Sequence, residues 1–192
     1  MKLSEVEHVL RAAAEVTQEK EFICVGSQAI LGQYPDAPRE LRVSMELDLY
    51  PKAHPEKSEL IDGALGELSP FHATFHYYAH GVGPTTAVLP SGWQNRLVKF
   101  TSPNTNGAVG WCLEVHNLAV SKLVAGRDKD KEFVSALLRH DLASRNTLRQ
   151  RIDLIEHLDT RSKVQSTFQV LVNLLSPTDT PQQKPGRGIK PW

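Results

Sequence analysis

Cysteine is nearly missing from this chain: two occur in 192 residues, Cys24 and Cys112. Each sits in apolar surroundings, between Ile23 and Val25 and between Trp111 and Leu113. A disulfide framework is therefore excluded, and both thiols are expected to be buried. An excess of charge is missing too, with 22 Lys plus Arg against 22 Asp plus Glu. No global field steers the molecule toward nucleic acid or an anionic membrane, so any such contact is local. No segment approaches the roughly 20 apolar residues that a membrane span needs. The first residues alternate charged and apolar side chains without a signal-peptide core. The cytoplasm is the expected address, with no membrane partner. Acidic residues are absent from the whole middle of the chain, none falling between Glu67 and Glu114. What is present, 40% hydrophobic and 23% charged residues, is ordinary for a globular protein. The length suits one compact domain, or a core domain with a small helical appendage.

Apolar periodicity supplies the elements. Leu3, Val6, Val9, Leu10, Ala13 and Val16 recur at helical spacing, predicting a helix over 4–18 with Ser4 as its cap. Phe22 to Val25 reads as a buried strand, and a helix follows from Ser27 to about Gln33. Pro35 and Pro38 enforce a loop. A strand is expected over 43–49, ended by Pro51, and a helix over 56–68, closed by Ser69-Pro70. The aromatic run 71–80 reads as a strand. Further strands are expected at Thr85–Leu89, Arg96–Phe100 and Val109–Val115. Beyond Val115 the spacing turns helical, around Leu118–Val124, Phe133–Leu138, Thr147–Leu158 and Lys163–Leu175. From Pro177 the composition of Pro, Gln, Gly and Lys leaves almost nothing to bury, as in a disordered tail. The expected fold is α+β: a small mixed sheet with flanking helices over 1–115, a helical region over 116–175, and a tail over 176–192.

The segment Val43-Ser44-Met45-Glu46-Leu47-Asp48-Leu49-Tyr50 carries the most information. Its strict alternation turns Val43, Met45, Leu47 and Leu49 toward a core and Ser44, Glu46 and Asp48 to the opposite face. Adjacent carboxylates repel, and the arrangement is costly unless a cation neutralises it. Oxygen-only ligands on a rigid strand suit magnesium. Upstream, Gly26-Ser27 interrupts a strand just before an apolar helical run. A strand, a Gly-Ser turn and a helix start present free N–H groups and a helix dipole to an anion.

Gly26-Ser27, followed by Ser44-x-Glu46-x-Asp48, resembles the signature of the nucleotidyltransferase (polymerase beta-like) superfamily. Asn117-Leu118-x-x-x-Lys122-Leu123-x-Ala125-x-Arg127-x-Lys129-Asp130 is similar to the second motif of one branch. That branch holds the AbiEii-like toxin nucleotidyltransferases and the DUF6036-type domains. Leu89-Pro90-x-Gly92-Trp93-x-x-Arg96-Leu97 resembles the latter. The resemblance spans roughly residues 20 to 140. It implies Mg2+ held by Glu46 and Asp48, phosphates held by Gly26, Ser27, Lys122 and Arg127, and Asp130 as a further catalytic carboxylate. It also implies a nucleoside triphosphate substrate, an RNA or protein acceptor, and an antitoxin or other protein partner. Two departures accompany it. Glu46 stands where the family's usual residue is Asp, and the third carboxylate normally found on a later strand has no candidate between Glu67 and Glu114.

Each motif also has a plainer reading. Glu46 and Asp48 suit a solvated strand face, and Arg127 to Lys131 a solvated helix end. His72, His76 and His80 share one face, yet along a strand successive members lie about 13 Å apart, too far to share a zinc ion. His80-Gly81-Val82-Gly83 is placed at a pocket mouth or in a turn. Trp93 suits base stacking or the anchoring of a hairpin. Two functions from different classes follow: a magnesium-dependent nucleotidyltransferase, or a catalytically silent module that keeps the nucleotide pocket and acts through a protein partner.

Overall fold

The computed structural model describes residues 1–175; the expected tail lies outside them. Helix α1 (Leu3–Thr17) buries Val6, Val9, Leu10 and Ala13 along one stripe. It starts one residue before the expected position. The Glu5 carboxylate reaches back to accept from the Lys2 N–H, so Ser4 is not the cap. Strand β1 (Glu21–Val25) follows, then a 3₁₀ turn over Ser27–Gly32, where an α-helix was expected. Strand β2 (Glu46–Pro51) runs antiparallel to β1.

Three helix–strand assignments are corrected in the next stretch. The 56–68 helix is shorter, α2 (Ser58–Leu65), and Gly66 ends it. The 71–80 strand is divided: α3 (Pro70–Phe75) precedes β3 (Tyr78–Gly81). The cause is local capping that outweighs aromatic β-propensity. Ser69 Oγ accepts from the His72 N–H, Pro70 is pre-set for a first helical turn, and His76 ends the helix with φ of 62°. Residues 85–89 form no strand. The chain there must cross from β3, at one edge of the sheet, to β4 (Val98–Phe100) at the other, and has no partner along the way.

The five strands lie in the order β3-β2-β1-β5-β4, with β5 spanning Val109–Cys112. Pairings β1–β5 and β2–β3 are parallel, and β1–β2 and β4–β5 antiparallel. The fold is α+β with a mixed sheet and flanking helices. Alternation turns Phe22, Cys24, Leu49 and Cys112 to the face that α1 covers, where Leu10 packs over Gly110. Burying Leu47 and Leu49 completely contributes roughly 1.5–3 kcal/mol each. Cys24 and Cys112 are free and buried, directly opposite one another across β1 and β5.

Two residues of the alternating segment depart from it. Val43 is 74% and Met45 56% exposed, because regular strand begins only at Glu46. Residues before it are irregular, held by the Met1 ammonium donating to the carbonyls of Arg42 and Ser44. Extended pairing resumes where Tyr78 donates its N–H to the Met45 carbonyl.

Helices α4 (Val115–Ala125), α5 (Asp128–Arg139), α6 (Arg145–Asp153) and α7 (Leu158–Leu174) follow the sheet. Among the described residues, no helix is long and apolar enough to cross a membrane. The start of α4 matters most, since that helix carries Lys122. Glu114 caps it, its carboxylate accepting from the Asn117 N–H at 3.3 Å and bonding His116. Burial pushes the Glu114 pKa up, but its bonds with His116 and with backbone N–H groups outweigh burial and leave it below 4.5. A depressed carboxylate stabilises the fold above its unfolded pKa, and the contribution is lost as pH falls through the folded value. Glu114→Ala is therefore expected to cost about 1 kcal/mol at neutral pH. The gap from wild type should narrow in melts run progressively below pH 4.5. A gap independent of pH would refute this assignment.

Candidate active site

Gly26 ends β1 with φ of 67° and ψ of −176°, a conformation open essentially to glycine alone. Its missing side chain leaves room for a neighbour. A Cβ built there would lie 1.8 Å from Asp48 Oδ2, so that oxygen occupies the space above the glycine. The contact follows from register, because Val25 pairs with Asp48 across β1 and β2. Ser27 then opens the 3₁₀ turn. At six residues, that turn has little of the dipole expected from an α-helix.

Glu46 and Asp48 share a face as their spacing predicts, and neither stands alone. The parallel register sets Tyr78 beside Glu46 and His80 beside Asp48. Tyr78 donates its hydroxyl proton to Glu46 Oε2 at 2.9 Å. His80 Nδ1 lies 2.9 Å from Asp48 Oδ1, and the bond needs the proton on Nδ1, since a carboxylate only accepts. Burial, then the neighbouring Glu46 charge, push the Asp48 pKa up, while His80 and Lys122 oppose them. Burial and the bond to Glu46 push the Tyr78 phenol up to about 12.

The helical region supplies the opposite wall. Lys122 is 9% exposed, on the same buried side of α4 as Leu118 one turn earlier. Its ammonium lies 3.5 Å from Asp130 Oδ1. Burial lowers the Lys122 pKa, and the charges of Asp130 and Asp48 partly restore it. Arg127 clasps the same carboxylate, with Nε 2.6 Å from Oδ2 and a terminal nitrogen 3.2 Å from Oδ1. Burial would raise the Asp130 pKa, but Arg127 and Lys122 together hold it below 3.8.

All seven residues singled out in the sequence, Gly26, Ser27, Glu46, Asp48, Lys122, Arg127 and Asp130, line one open cavity of about 1090 Å³. His80, from β3, lines it too. Tyr78 was not recognised from sequence as part of the site. Its only signal was lying two residues before His80, and its partner Glu46 is 32 residues away. The other two histidines of the triplet do other work: His72 accepts from the Leu68 N–H and packs against Tyr78, and His76 caps α3. Trp93 packs partly buried against the core.

Five carboxylates line the cavity (Glu40, Glu46, Asp48, Asp130, Glu132) against three cations (Lys122, Arg127, Lys129). The excess is negative where Glu46 and Asp48 meet, which suits a divalent cation. The donor set around Glu46 and Asp48 is oxygen-rich, and Asp48 Oδ2 stands over a backbone that approaches closely, so these residues fit Mg2+. Among the described residues, no group of three or more His, Cys, Asp and Glu is disposed to hold a metal. A bound cation would take its remaining ligands from phosphate oxygens and water, as Mg2+ commonly does.

An acid-x-acid strand beside a Gly-Ser turn, faced by a buried lysine, places this α+β protein among the nucleotidyltransferase-like folds. A family model described as a nucleotidyltransferase of unknown function (DUF6036) matches residues 1–173, and the chain belongs to that family. Comparison with curated proteins and with solved structures gives no match.

Proposed function

We propose that this protein is a cytoplasmic, magnesium-dependent nucleotidyltransferase that moves a nucleoside monophosphate from a triphosphate to an RNA end or a protein hydroxyl. One observation carries the reading: two carboxylates on β2 and a lysine on α4, 74 or more residues apart in sequence, line the same cavity beside Gly26-Ser27. Glu46 and Asp48 would hold Mg2+, which when bound neutralises charge on the phosphates and the leaving pyrophosphate. Lys122 would meet the triphosphate as a point charge, held in place by Asp130, and Arg127 would flank it. In the transfer, the acceptor oxygen bonds to the α-phosphorus as the α–β bridging bond breaks. Pyrophosphate leaves and the hydroxyl proton passes to solvent. A role as the toxin of a toxin–antitoxin pair, with an antitoxin partner, fits the resemblance to that branch.

The second reading, a silent nucleotide- or protein-binding module, is favoured by the lack of any acidic residue between Glu67 and Glu114. One experiment separates the two. The protein is incubated with each α-labelled nucleoside triphosphate, Mg2+ and either total RNA or total protein. Label carried onto RNA or protein, and lost with chelator, supports the enzyme. Triphosphate binding without transfer of label supports the module.

A further inference from the structure

Resting on the nucleotidyltransferase reading, the cleft also specifies how many cations it takes. In-line phosphoryl transfer is commonly clamped by two divalent cations about 3.5–4 Å apart, with carboxylates bridging and flanking them. Here the carboxylates run short. On β3, the positions opposite Glu46 and Asp48 hold Tyr78 and His80, and each already engages one carboxylate oxygen at 2.9 Å. The helices bring two further carboxylates to the cavity. Both oxygens of Asp130 are taken by Arg127, with Lys122 alongside, and Glu132, exposed two residues further along α5, projects from a different side of that helix. Glu40 is spent on Arg139 and His140 at 2.6 Å each. Two carboxylates balance one divalent cation; a second would depend on the nucleotide's own phosphates.

A positive charge is nevertheless built in. Lys122 is nine-tenths buried, lines the same cavity as Glu46 and Asp48, and is pinned by an acid that is itself fully engaged. We infer that the cleft is built for a single divalent cation on Glu46 and Asp48, and that the Lys122 ammonium supplies the fixed positive charge a second cation would bring. Such a charge is positioned before the nucleotide arrives and cannot be removed by chelation. Asp130 then acts as a positioning residue for Lys122 rather than as a metal ligand.

Manganese is the probe. The full chain is titrated with Mn2+ alone, and then with Mn2+ plus non-hydrolysable analogues of the four nucleoside triphosphates, and followed by electron paramagnetic resonance. The expected result is one protein-bound Mn2+ whose spectrum shows no coupling to a second ion when nucleotide is present. Lys122→Gln/Asp130→Asn removes the ion pair without leaving a lone buried charge. With its fold checked by circular dichroism, it should keep the Mn2+ site and lose about tenfold in analogue affinity. A coupled Mn2+ pair in the wild type overturns the single-cation inference and leaves the transfer reading standing. No protein-bound Mn2+ at all overturns both. Unchanged analogue affinity in the folded double variant overturns the role of Lys122, and the wild-type count decides the cation number whether or not that variant folds.

Discussion

Asp48→Asn is expected to lower label transfer roughly a thousand-fold, the loss that several kcal/mol of metal-assisted charge stabilisation implies. The same substitution should leave the metal-free protein at least as stable as wild type. Asp48 is buried and faces Glu46, and both effects raise its pKa above the ordinary 3.8. A carboxyl raised in the folded state holds its proton more tightly there than in the unfolded chain. Its favourable contribution is complete below the unfolded pKa and is lost as pH rises through the folded value. At neutral pH the ionised Asp48 is therefore a cost, and asparagine removes it while keeping a similar shape. Thermal melts of the metal-free proteins at pH 7 should place Asp48→Asn at or above wild type. Transfer at wild-type rates, or a clearly lower melting temperature, would show that Asp48 serves the fold and not the chemistry. Glu46→Gln should lose transfer to a similar degree.

Gly26→Ala has the second large effect, and there stability and function fall together. The backbone conformation at Gly26 strains any L-residue, by about 1–3 kcal/mol. The new methyl group would also meet Asp48 Oδ2 at 1.8 Å, so the carboxylate must move. A melting temperature lower by roughly 4–10 °C is expected for a chain of this size, together with loss of Mn2+ binding. Gly83→Ala is the control. Gly83 has no positive φ, and a Cβ there meets nothing within 4 Å. If both alanine variants melt and bind alike, Gly26 is a turn residue only.

Much of the site was legible because it is local. Glu46 and Asp48 share a face because strand side chains alternate, and Leu47 and Leu49 are buried for the same reason. Gly26 interrupts an apolar strand, and the interruption alone announced a special backbone. The helical spacing after Val115 yielded α4 to α7, with Leu158 moved from the end of one helix to the start of the next. Misreadings fell where a neighbour distant in sequence, or a capping side chain, outweighed periodicity. Alternation continued back to Val43 and Met45, but regular strand begins only at Glu46, and both side chains are exposed. The aromatic run after Pro70 looked extended until Ser69 capped a helix.

By itself, the sequence determined the alternating face with its two carboxylates, the glycine at the end of β1 and the run of helices after the last strand. These depend on side-chain direction over a few bonds, which the chain carries wherever it goes. Only the tertiary structure decided which groups answer those carboxylates. Tyr78 and His80 reach them through the parallel register of β2 and β3, and Lys122 through the packing of α4 beyond the sheet. It also decided that Asp130 is spent on Arg127 and Lys122. The pairings on Glu46 and Asp48 join segments 32 or more residues apart, and loop closure and core packing, which no local pattern records, select among them; Asp130 meets Arg127 only three residues away, where α4 turns into α5.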